Sequence, residues 1–337
     1  MPRPIIVDCT GPVLDPEERA LFRALDPLGF ILFARHVETP DQVRRLVDDL
    51  RHSVGRLDAP VLIDQEGGRV CRLKPPHWRA VPPAADFGAL AAGSLELGKR
   101  AAWLNSRLVA VELADLGISV DCLPVLDLRL EGAHDIIGDR SYGSDPDLVA
   151  VLGRAAAEGL MAGGVLPVVK HIPGHGRAGQ DSHLALPVVD AHRQTLAATD
   201  FAPFRALCDL PLAMTAHITY LSLDPDAPAT LSRKVIDEVI RGDIGFQGML
   251  ISDDLTMKAL TGALPDLAIA ALAAGCDAAL LCNASLEDRR AVLEAVEPLG
   301  GAASARVRAA FAPPEADPFD AQAGLMELEE LLAQLKA

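Results

Sequence analysis

The 337-residue sequence lacks the features that several large classes of protein need. Its 31 lysines and arginines are outnumbered by 47 aspartates and glutamates, and the resulting net charge of −16 argues against a nucleic-acid-binding protein. No run of apolar residues reaches the roughly 18 that a membrane helix needs, and the first run, residues 5–7, stops at Asp8. That first run is also too short for a signal peptide. We therefore expect a cytoplasmic protein that binds neither nucleic acid nor membrane.

Two further motifs are missing. The six cysteines are dispersed and none forms a Cys-x-x-Cys pair, so we predict reduced, buried thiols rather than a disulfide framework. No Gly-x-Gly-x-x-Gly motif follows the first predicted strand, which disfavours a dinucleotide-binding domain.

What the sequence does contain is a regular alternation of strand and helix patterns. Half of the residues are apolar, which is enough for a full core. Helix starts such as Asp15-Pro16, Thr39-Pro40 and Asp145-Pro146 separate eight short β-like apolar runs. The runs occupy residues 4–9, 29–34, 60–64, 118–128, 165–170, 210–218, 248–253 and 277–282. This alternation predicts an α/β fold, a single-domain (β/α)₈ TIM-like barrel over residues 1–314, with a doubly wound open sheet as the competing arrangement. We predict one amphipathic helix over residues 315–337, packed on the outside of the barrel.

Ionisable side chains gather at the carboxyl ends of the predicted strands, where barrel enzymes have their active sites. The first group is residues 64–72, in which Asp64, Arg69 and Arg72 surround a Gly-Gly turn. A carboxylate that accepts and a guanidinium that donates would suit the vicinal hydroxyls of a sugar. An ordinary ion pair between strand and loop is the alternative.

The second group begins with Lys170 and His171 at a strand end and continues through a loop rich in glycine and proline. A loop of this composition is more typical of a functional loop than of a simple connection between two elements. Asp181 and His183 lie two residues apart, so the carboxylate can orient the imidazole and set its basicity. An alternative is that His171, His175 and His183 are metal ligands, although their spacing matches no helical His-x-x-x-His pattern. A loop histidine without a chemical role is the remaining alternative.

The third group is Asp253 and Asp254, which end an apolar strand. Because side chains alternate along a strand, we expect one carboxylate to face the barrel axis and the other to face away. The inward acid could act as a general base or as a covalent nucleophile. The alternative without a catalytic role is that the acids cap the N-terminus of a helix.

Four segments containing these groups occur in a fixed order. They read DQEGGRV at 64–70, GDRSYG at 138–143, KHIPGHG followed by DSH within 170–183, and SDDLTM at 252–257. Together they resemble the bacterial β-N-acetylglucosaminidases of glycoside hydrolase family 3, the single-domain kind that acts in peptidoglycan recycling. The similarity runs from about residue 29 to residue 283. Departures are few: Cys71 stands where glutamine is common and Ile172 where phenylalanine is common.

The resemblance implies a role for each site residue. Asp253 would be the nucleophile, and His183 the general acid/base with Asp181 as its dyad partner. The N-acetylglucosamine in the −1 subsite would be bound by Asp64, Arg72, Arg140, Lys170 and His171. Larger relatives take the acid/base from a second domain, for which this sequence has no room.

The implied reaction is hydrolysis by double displacement with retention of the β configuration. The implied substrate is N-acetylglucosamine β-1,4-linked to 1,6-anhydro-N-acetylmuramic acid, with or without its peptide. No metal or organic cofactor is implied, and a monomer is the default expectation. The main rival hypothesis is a metal-dependent barrel hydrolase that uses the loop histidines, and substrate-assisted catalysis by the 2-acetamido group is a further alternative.

Overall fold

Eight parallel strands close into a barrel in the computed structural model, which describes residues 1–312 and 314–336. Each predicted apolar run contributes one strand, so the predicted (β/α)₈ barrel is confirmed. The barrel strands are β1 (Arg3–Val7), β2 (Pro27–Leu32), β3 (Val61–Ile63), β4 (Val120–Asp121), β5 (Leu166–Ile172), β7 (Leu212–Thr215), β9 (Met249–Asp254) and β10 (Ala278–Leu281). A separate two-stranded sheet pairs β6 (Val188–Val189) with β8 (Thr219–Tyr220).

Helices surround the barrel, and several begin where the sequence predicts. The side chains of Asp15, Thr39 and Asp145 each cap a helix by accepting a backbone N–H, and proline occupies the first turn. Such caps are worth about 1 kcal/mol each. The α-helices are α1 (Pro16–Leu25), α2 (Pro40–Val54), α3 (Ala84–Gly93), α4 (Leu95–Asp115), α5 (Pro146–Met161), α6 (Arg193–Ala198), α7 (Ala202–Ala206), α8 (Leu264–Ala274), α9 (Leu286–Ala295), α10 (Gly301–Ala310) and α11 (Ala321–Ala333). The segment Val235–Asp243 is a π-helix.

The C-terminal helix is shorter than the sequence predicts. The predicted span 315–337 contains α11 and a 3₁₀ turn, Gln334–Lys336, while Ala337 lies outside the described residues. Helix α11 packs against α4, and Glu327 accepts two hydrogen bonds from Arg100, both of 2.7 Å. The boundary between residues 314 and 315 stays a prediction.

The core has two layers because side chains alternate across each strand. Ile6, Leu62 and Val168 fill the barrel interior, whereas Ile5 and Val7 pack between the strands and the helices. Both layers are apolar, so polar groups accumulate at the ends of the barrel. Among the helices formed by residues 1–312 and 314–336, none combines the length and apolarity needed to cross a bilayer.

A buried ion-pair network closes the barrel where the first and last strands meet. Asp8 follows β1 and is fully buried, and Arg289 on α9 donates to it over 3.1 and 2.6 Å. Arg289 also donates to Glu18 on α1 over 2.8 Å, and Arg35 contacts Asp8 from the other side. The network occupies the carboxylate of Asp8, so this strand-end acid has a structural role.

Candidate functional site

A cavity of about 370 Å³ opens at the carboxyl end of the barrel. Seven of the eight predicted site residues line it, and the eighth, Asp181, contacts one of the seven, His183. The seven are Asp64, Arg72, Arg140, Lys170, His171, His183 and Asp253. Residues separated by as many as 189 positions are therefore brought together because the ends of parallel strands meet at one rim.

The floor of the cavity is a network of alternating charges. The Lys170 ammonium lies 2.8 Å from Asp64 Oδ1 and 2.6 Å from Glu66 Oε1. Arg72 donates to Asp64 over 2.9 Å, and Arg140 donates to both oxygens of Glu66 over 2.8 and 2.9 Å. Each carboxylate is thus shared between two cations, which fixes its orientation.

Electrostatics keep these floor carboxylates ionised. Burial alone would raise the pKa of Asp64, but Lys170 and Arg72 outweigh it and hold that pKa well below its usual range. The same balance lowers the pKa of Glu66, where Arg140 and Lys170 oppose burial. The floor consequently offers fixed acceptors and donors to a polar ligand at neutral pH.

Two carboxylates of the site, Glu66 and Asp127, were not assigned a role from the sequence, although Asp127 stands at a predicted strand end. Glu66 lies two residues after Asp64 in the first motif, and that spacing was the signal that could have identified it. Asp127 lies under His171 and accepts from its Nδ1 over 2.6 Å, and from the backbone N–H of His175 over 2.6 Å. Asp127 therefore orients the His171 ring, although it does not line the cavity itself.

The two acids that end β9 both line the cavity, but their carboxylates have different partners. The expectation that one faces the axis and the other faces away stays a prediction. The strand ends at Asp254, whose carboxylate is turned back by Thr256 Oγ1 over 2.7 Å and by the N–H of Cys282 over 3.0 Å. The Asp253 carboxylate, in contrast, accepts a single hydrogen bond from residues 1–312 and 314–336, that of the Asp254 N–H over 2.8 Å. Asp253 is therefore the acid of the pair that has oxygen capacity left for a ligand.

Neighbouring histidines control the charge of Asp253. Burial alone would raise its pKa, but His217 and His171 outweigh burial and lower it. Burial raises the pKa of Asp254 to about 6. His217 is itself buried and bonded to Thr230 Oγ1 over 2.7 Å. Asp253 is thus an ionised carboxylate at neutral pH, as a nucleophile has to be.

The imidazole of His183 approaches the cavity from a surface loop. Its Nδ1 lies 2.8 Å from Asp181 Oδ1, and its backbone N–H donates to the same oxygen over 2.8 Å. Burial opposes the ionisation of Asp181, but these hydrogen bonds outweigh it and lower the pKa of Asp181. Because Nδ1 donates to the carboxylate, Nε2 is the nitrogen left for a ligand.

The three histidines considered as metal ligands have separate partners. His171 is bonded to Asp127, His183 to Asp181, and His175 Nε2 lies 3.2 Å from Ser182 Oγ. Throughout the described ranges, no three His, Cys, Asp or Glu side chains are placed to hold one ion. The geometry gives the metal-dependent hypothesis no support.

Comparison with known proteins gives a consistent result. A model of the glycosyl hydrolase family 3 N-terminal domain matches residues 17–312. A β-hexosaminidase of Alkalilimnicola ehrlichii is 40% identical over 287 residues, which are 83% of this chain and 80% of the relative. The solved structure of NagZ from Neisseria gonorrhoeae in complex with N-trifluoroacetyl-D-glucosamine is 30% identical, with a TM-score of 0.81 over 98% of this chain and 99% of that one. A family 3 β-N-acetylglucosaminidase from Paenibacillus sp. has a TM-score of 0.86 and 30% identity over 97% of this chain and 66% of that one.

Proposed function

Because the chain belongs to glycosyl hydrolase family 3 and is a β-N-acetylhexosaminidase, we propose that it is a retaining β-N-acetylglucosaminidase of cell-wall recycling. Its substrate in this proposal is N-acetylglucosamine β-1,4-linked to 1,6-anhydro-N-acetylmuramic acid, with or without the peptide. The observation that carries the proposal is that Asp253 and His183 line one cavity above a charged floor. The enzyme acts in the cytoplasm as a monomer.

In this proposal the sugar is bound by the charged residues at the floor of the cavity. Asp64 and Glu66 have acceptor capacity for hydroxyl groups, and Arg72, Arg140 and Lys170 are donors held in place by those same carboxylates. A pyranose presents both donors and acceptors around its ring, so it can pair with the carboxylates and with the cations of such a floor. The solved relative that holds an N-acylated glucosamine supports this choice of sugar.

The first displacement forms a covalent glycosyl-enzyme. Asp253 attacks the anomeric carbon, the glycosidic bond breaks, and protonated His183 gives its proton to the departing oxygen. The Asp181 carboxylate accepts from Nδ1, so Nε2 is the nitrogen that carries the transferred proton. General-acid assistance of this kind contributes about 10²–10⁴ in rate.

The second displacement regenerates the enzyme. Neutral His183 takes a proton from water, the water oxygen attacks the anomeric carbon, and Asp253 leaves as a carboxylate. Two inversions give net retention of the β configuration. A histidine donor becomes neutral after the first step, so it adds no second negative charge beside the departing group.

Release of p-nitrophenol from its β-N-acetylglucosaminide, with EDTA present, tests the proposal. We expect turnover that survives EDTA, disappears in Asp253→Ala and persists in Asp226→Ala, whose carboxylate is exposed and outside the cavity. Activity that requires added metal would refute the proposed mechanism. A wild-type protein that leaves the natural disaccharide intact would refute the proposed substrate.

Stereochemistry and trapping test the mechanism separately. We expect the β-anomer of N-acetylglucosamine to be released first, as followed by proton NMR. We also expect a 2-fluoro sugar with a good leaving group to add its glycosyl mass to the wild type but not to Asp253→Ala. Retention without any adduct would favour the 2-acetamido group as the nucleophile.

A further inference from the structure

The loop that carries the dyad, residues 178–184, is attached to the barrel through the residue between its two members. Ser182 is buried, with 3% of its surface exposed, although the His183 side chain beside it is 62% exposed. A serine is usually a surface residue. Ser182 is thus covered by the rest of the molecule and, like His183, contributes to the lining of the cavity.

Ser182 meets His175 beneath the loop. The two side chains face each other with 3.2 Å between Ser182 Oγ and His175 Nε2. The backbone of His175 is fixed as well, because its N–H donates to Asp127 over 2.6 Å. Its ring also packs edge-on against His171, with 5.5 Å between the ring centroids. The contact therefore joins the dyad loop to the strand end that carries a proposed sugar-binding residue.

The protonation of His175 shows which of the two residues donates the hydrogen bond. Burial lowers the pKa of His175 to about 4, so the ring is neutral and carries one proton. Its Nδ1 is buried and, within the described part of the chain, has no hydrogen-bond partner. A buried N–H without an acceptor is costlier than an unused lone pair, so the proton belongs on Nε2, which donates to Ser182 Oγ.

A second attachment joins the same serine to the segment that follows β9. The backbone oxygen of Ser182 accepts from the N–H of Ala259 over 3.2 Å. Ala259 follows β9, the strand that ends with Asp253 and Asp254. One residue thus connects the dyad loop both to the segment that carries the nucleophile and to the segment that carries His171.

We propose that Ser182 and His175 are positioning residues, which hold His183 and Asp181 over the cavity in the geometry that proton transfer needs. This inference rests on the proposed function, in which His183 is the acid/base. General-acid catalysis requires the donor within hydrogen-bond reach of the departing oxygen, so a loosened loop loses proton transfer before it loses sugar binding. The role of the pair is accordingly visible in how the rate depends on the leaving group.

Ser182→Ala tests the inference with two aryl β-N-acetylglucosaminides. The 2,4-dinitrophenyl group departs without protonation, whereas the phenyl group needs it, and kcat/KM reports the steps up to departure. We expect kcat/KM for the phenyl substrate to fall about 10-fold or more, and kcat/KM for the dinitrophenyl substrate to stay within about 2-fold. Ser182→Thr, which keeps the hydroxyl, should restore most of the loss.

Leu184→Ala is the matched control, because Leu184 is in the same loop, 67% exposed and outside the cavity lining. It should leave both substrates unaffected. An equal loss on both substrates, or no loss on either, would overturn the positioning role. A wild type that hydrolyses neither substrate would instead refute the proposed function, so the two failures are distinguishable.

Two further measurements separate positioning from a general loss of structure. Hydrogen exchange of peptides covering residues 178–184 should speed up in Ser182→Ala while the melting temperature and the exchange of β5 stay as in the wild type. His175→Phe should reproduce the selective loss, and the double variant with Ser182→Ala should be no worse than either single variant. Fully additive losses, or unchanged exchange in the loop, would overturn the inference.

Discussion

Lys170→Met removes the cation at the centre of the cavity floor, and its effect on stability follows from the contacts. Lys170 is 2% exposed and its ammonium serves both Asp64 and Glu66, over 2.8 and 2.6 Å. Methionine fills nearly the same volume but leaves each carboxylate with one cationic partner fewer. Breaking a buried ion pair typically costs about 3–5 kcal/mol.

The lower end of that range applies here because each carboxylate keeps an arginine. Arg72 remains on Asp64, and Arg140 remains on both oxygens of Glu66. We expect a loss of about 3 kcal/mol in the free energy of unfolding at pH 7.5. The corresponding drop in melting temperature is about 5 °C for a chain of this size. Denaturant titration and calorimetry measure the two quantities.

The loss of unfolding free energy in Lys170→Met should depend on pH in a defined direction. In the wild type the pKa values of Asp64 and Glu66 are lowered, so their stabilisation is present above the unfolded values near 4 and disappears as pH falls through the lower folded values. Without Lys170 the pKa values of the two carboxylates in the folded state rise. As pH falls, the variant's carboxylates are therefore protonated at a higher pH than those of the wild type, and the unfavourable buried charge is removed. The gap in unfolding free energy between wild type and variant should therefore stay constant from pH 8 to about pH 4.5 and narrow as pH falls below about 4.

The same substitution at an exposed lysine is the control. Lys99 pairs with Glu96 on the helix surface and its side chain is 40% exposed, so Lys99→Met should cost less than about 0.5 kcal/mol. A Lys170→Met loss as small as that of the control, or one that does not narrow as pH falls below about 4, would refute the electrostatic reasoning.

Three other predictions concern the dyad, the barrel closure and one helix contact. Asp181→Asn removes the carboxylate that accepts from His183 Nδ1 and fixes the ring, so kcat/KM for the phenyl β-N-acetylglucosaminide should fall about 100-fold, within the range that a general acid contributes; an unchanged kcat/KM would contradict the dyad. Arg289→Met should cost about 3–5 kcal/mol in chemical denaturation, whereas Arg290→Met, on an exposed pair of the same helix, should cost under about 0.5 kcal/mol. Gly88→Ala would place a methyl carbon 1.9 Å from a backbone carbonyl oxygen, and calorimetry should show a loss of about 1–3 kcal/mol or more.

The barrel was predictable from the sequence because buried parallel strands are continuous apolar runs. The limits of the strands were less predictable. The run 118–128 contributes only Val120–Asp121 as a strand, since Pro124 has no N–H for the ladder. Beyond the proline, the pairing resumes as an isolated bridge from Val125 to Lys170.

Helices without a hydrophobic stripe were missed for a related reason. Helix α3 is rich in alanine and glycine, so its sequence has no clear period of 3.6 residues. Its place is set by tertiary contact instead, with Gly88 fitting closely against the backbone of Tyr142. Period-based reasoning cannot find such an element.

The candidate site was predictable where the residue type and the strand end coincide, as at Asp64, Lys170 and Asp253. Glu66 was missed because its partners, Arg140 and Lys170, are 74 and 104 positions away in the sequence. The partners of the Asp254 carboxylate were not predictable from alternation along the strand, because Thr256 and the N–H of Cys282 lie outside β9.

The ion pair that closes the barrel has a consequence for how the chain folds during synthesis. Asp8 and Arg289 are 281 positions apart, and the strand preceding Asp8 pairs with β10. At about 5–20 residues per second, the ribosome delivers the arginine roughly 15–60 s after the aspartate. Throughout that interval a closed barrel is impossible, and burial of Asp8 without its partner is unfavourable. Nascent chains should therefore keep the β10-facing edge of the first strand unpaired until the C-terminal part of the barrel has emerged, which makes that interval the period in which chaperones have access to that edge.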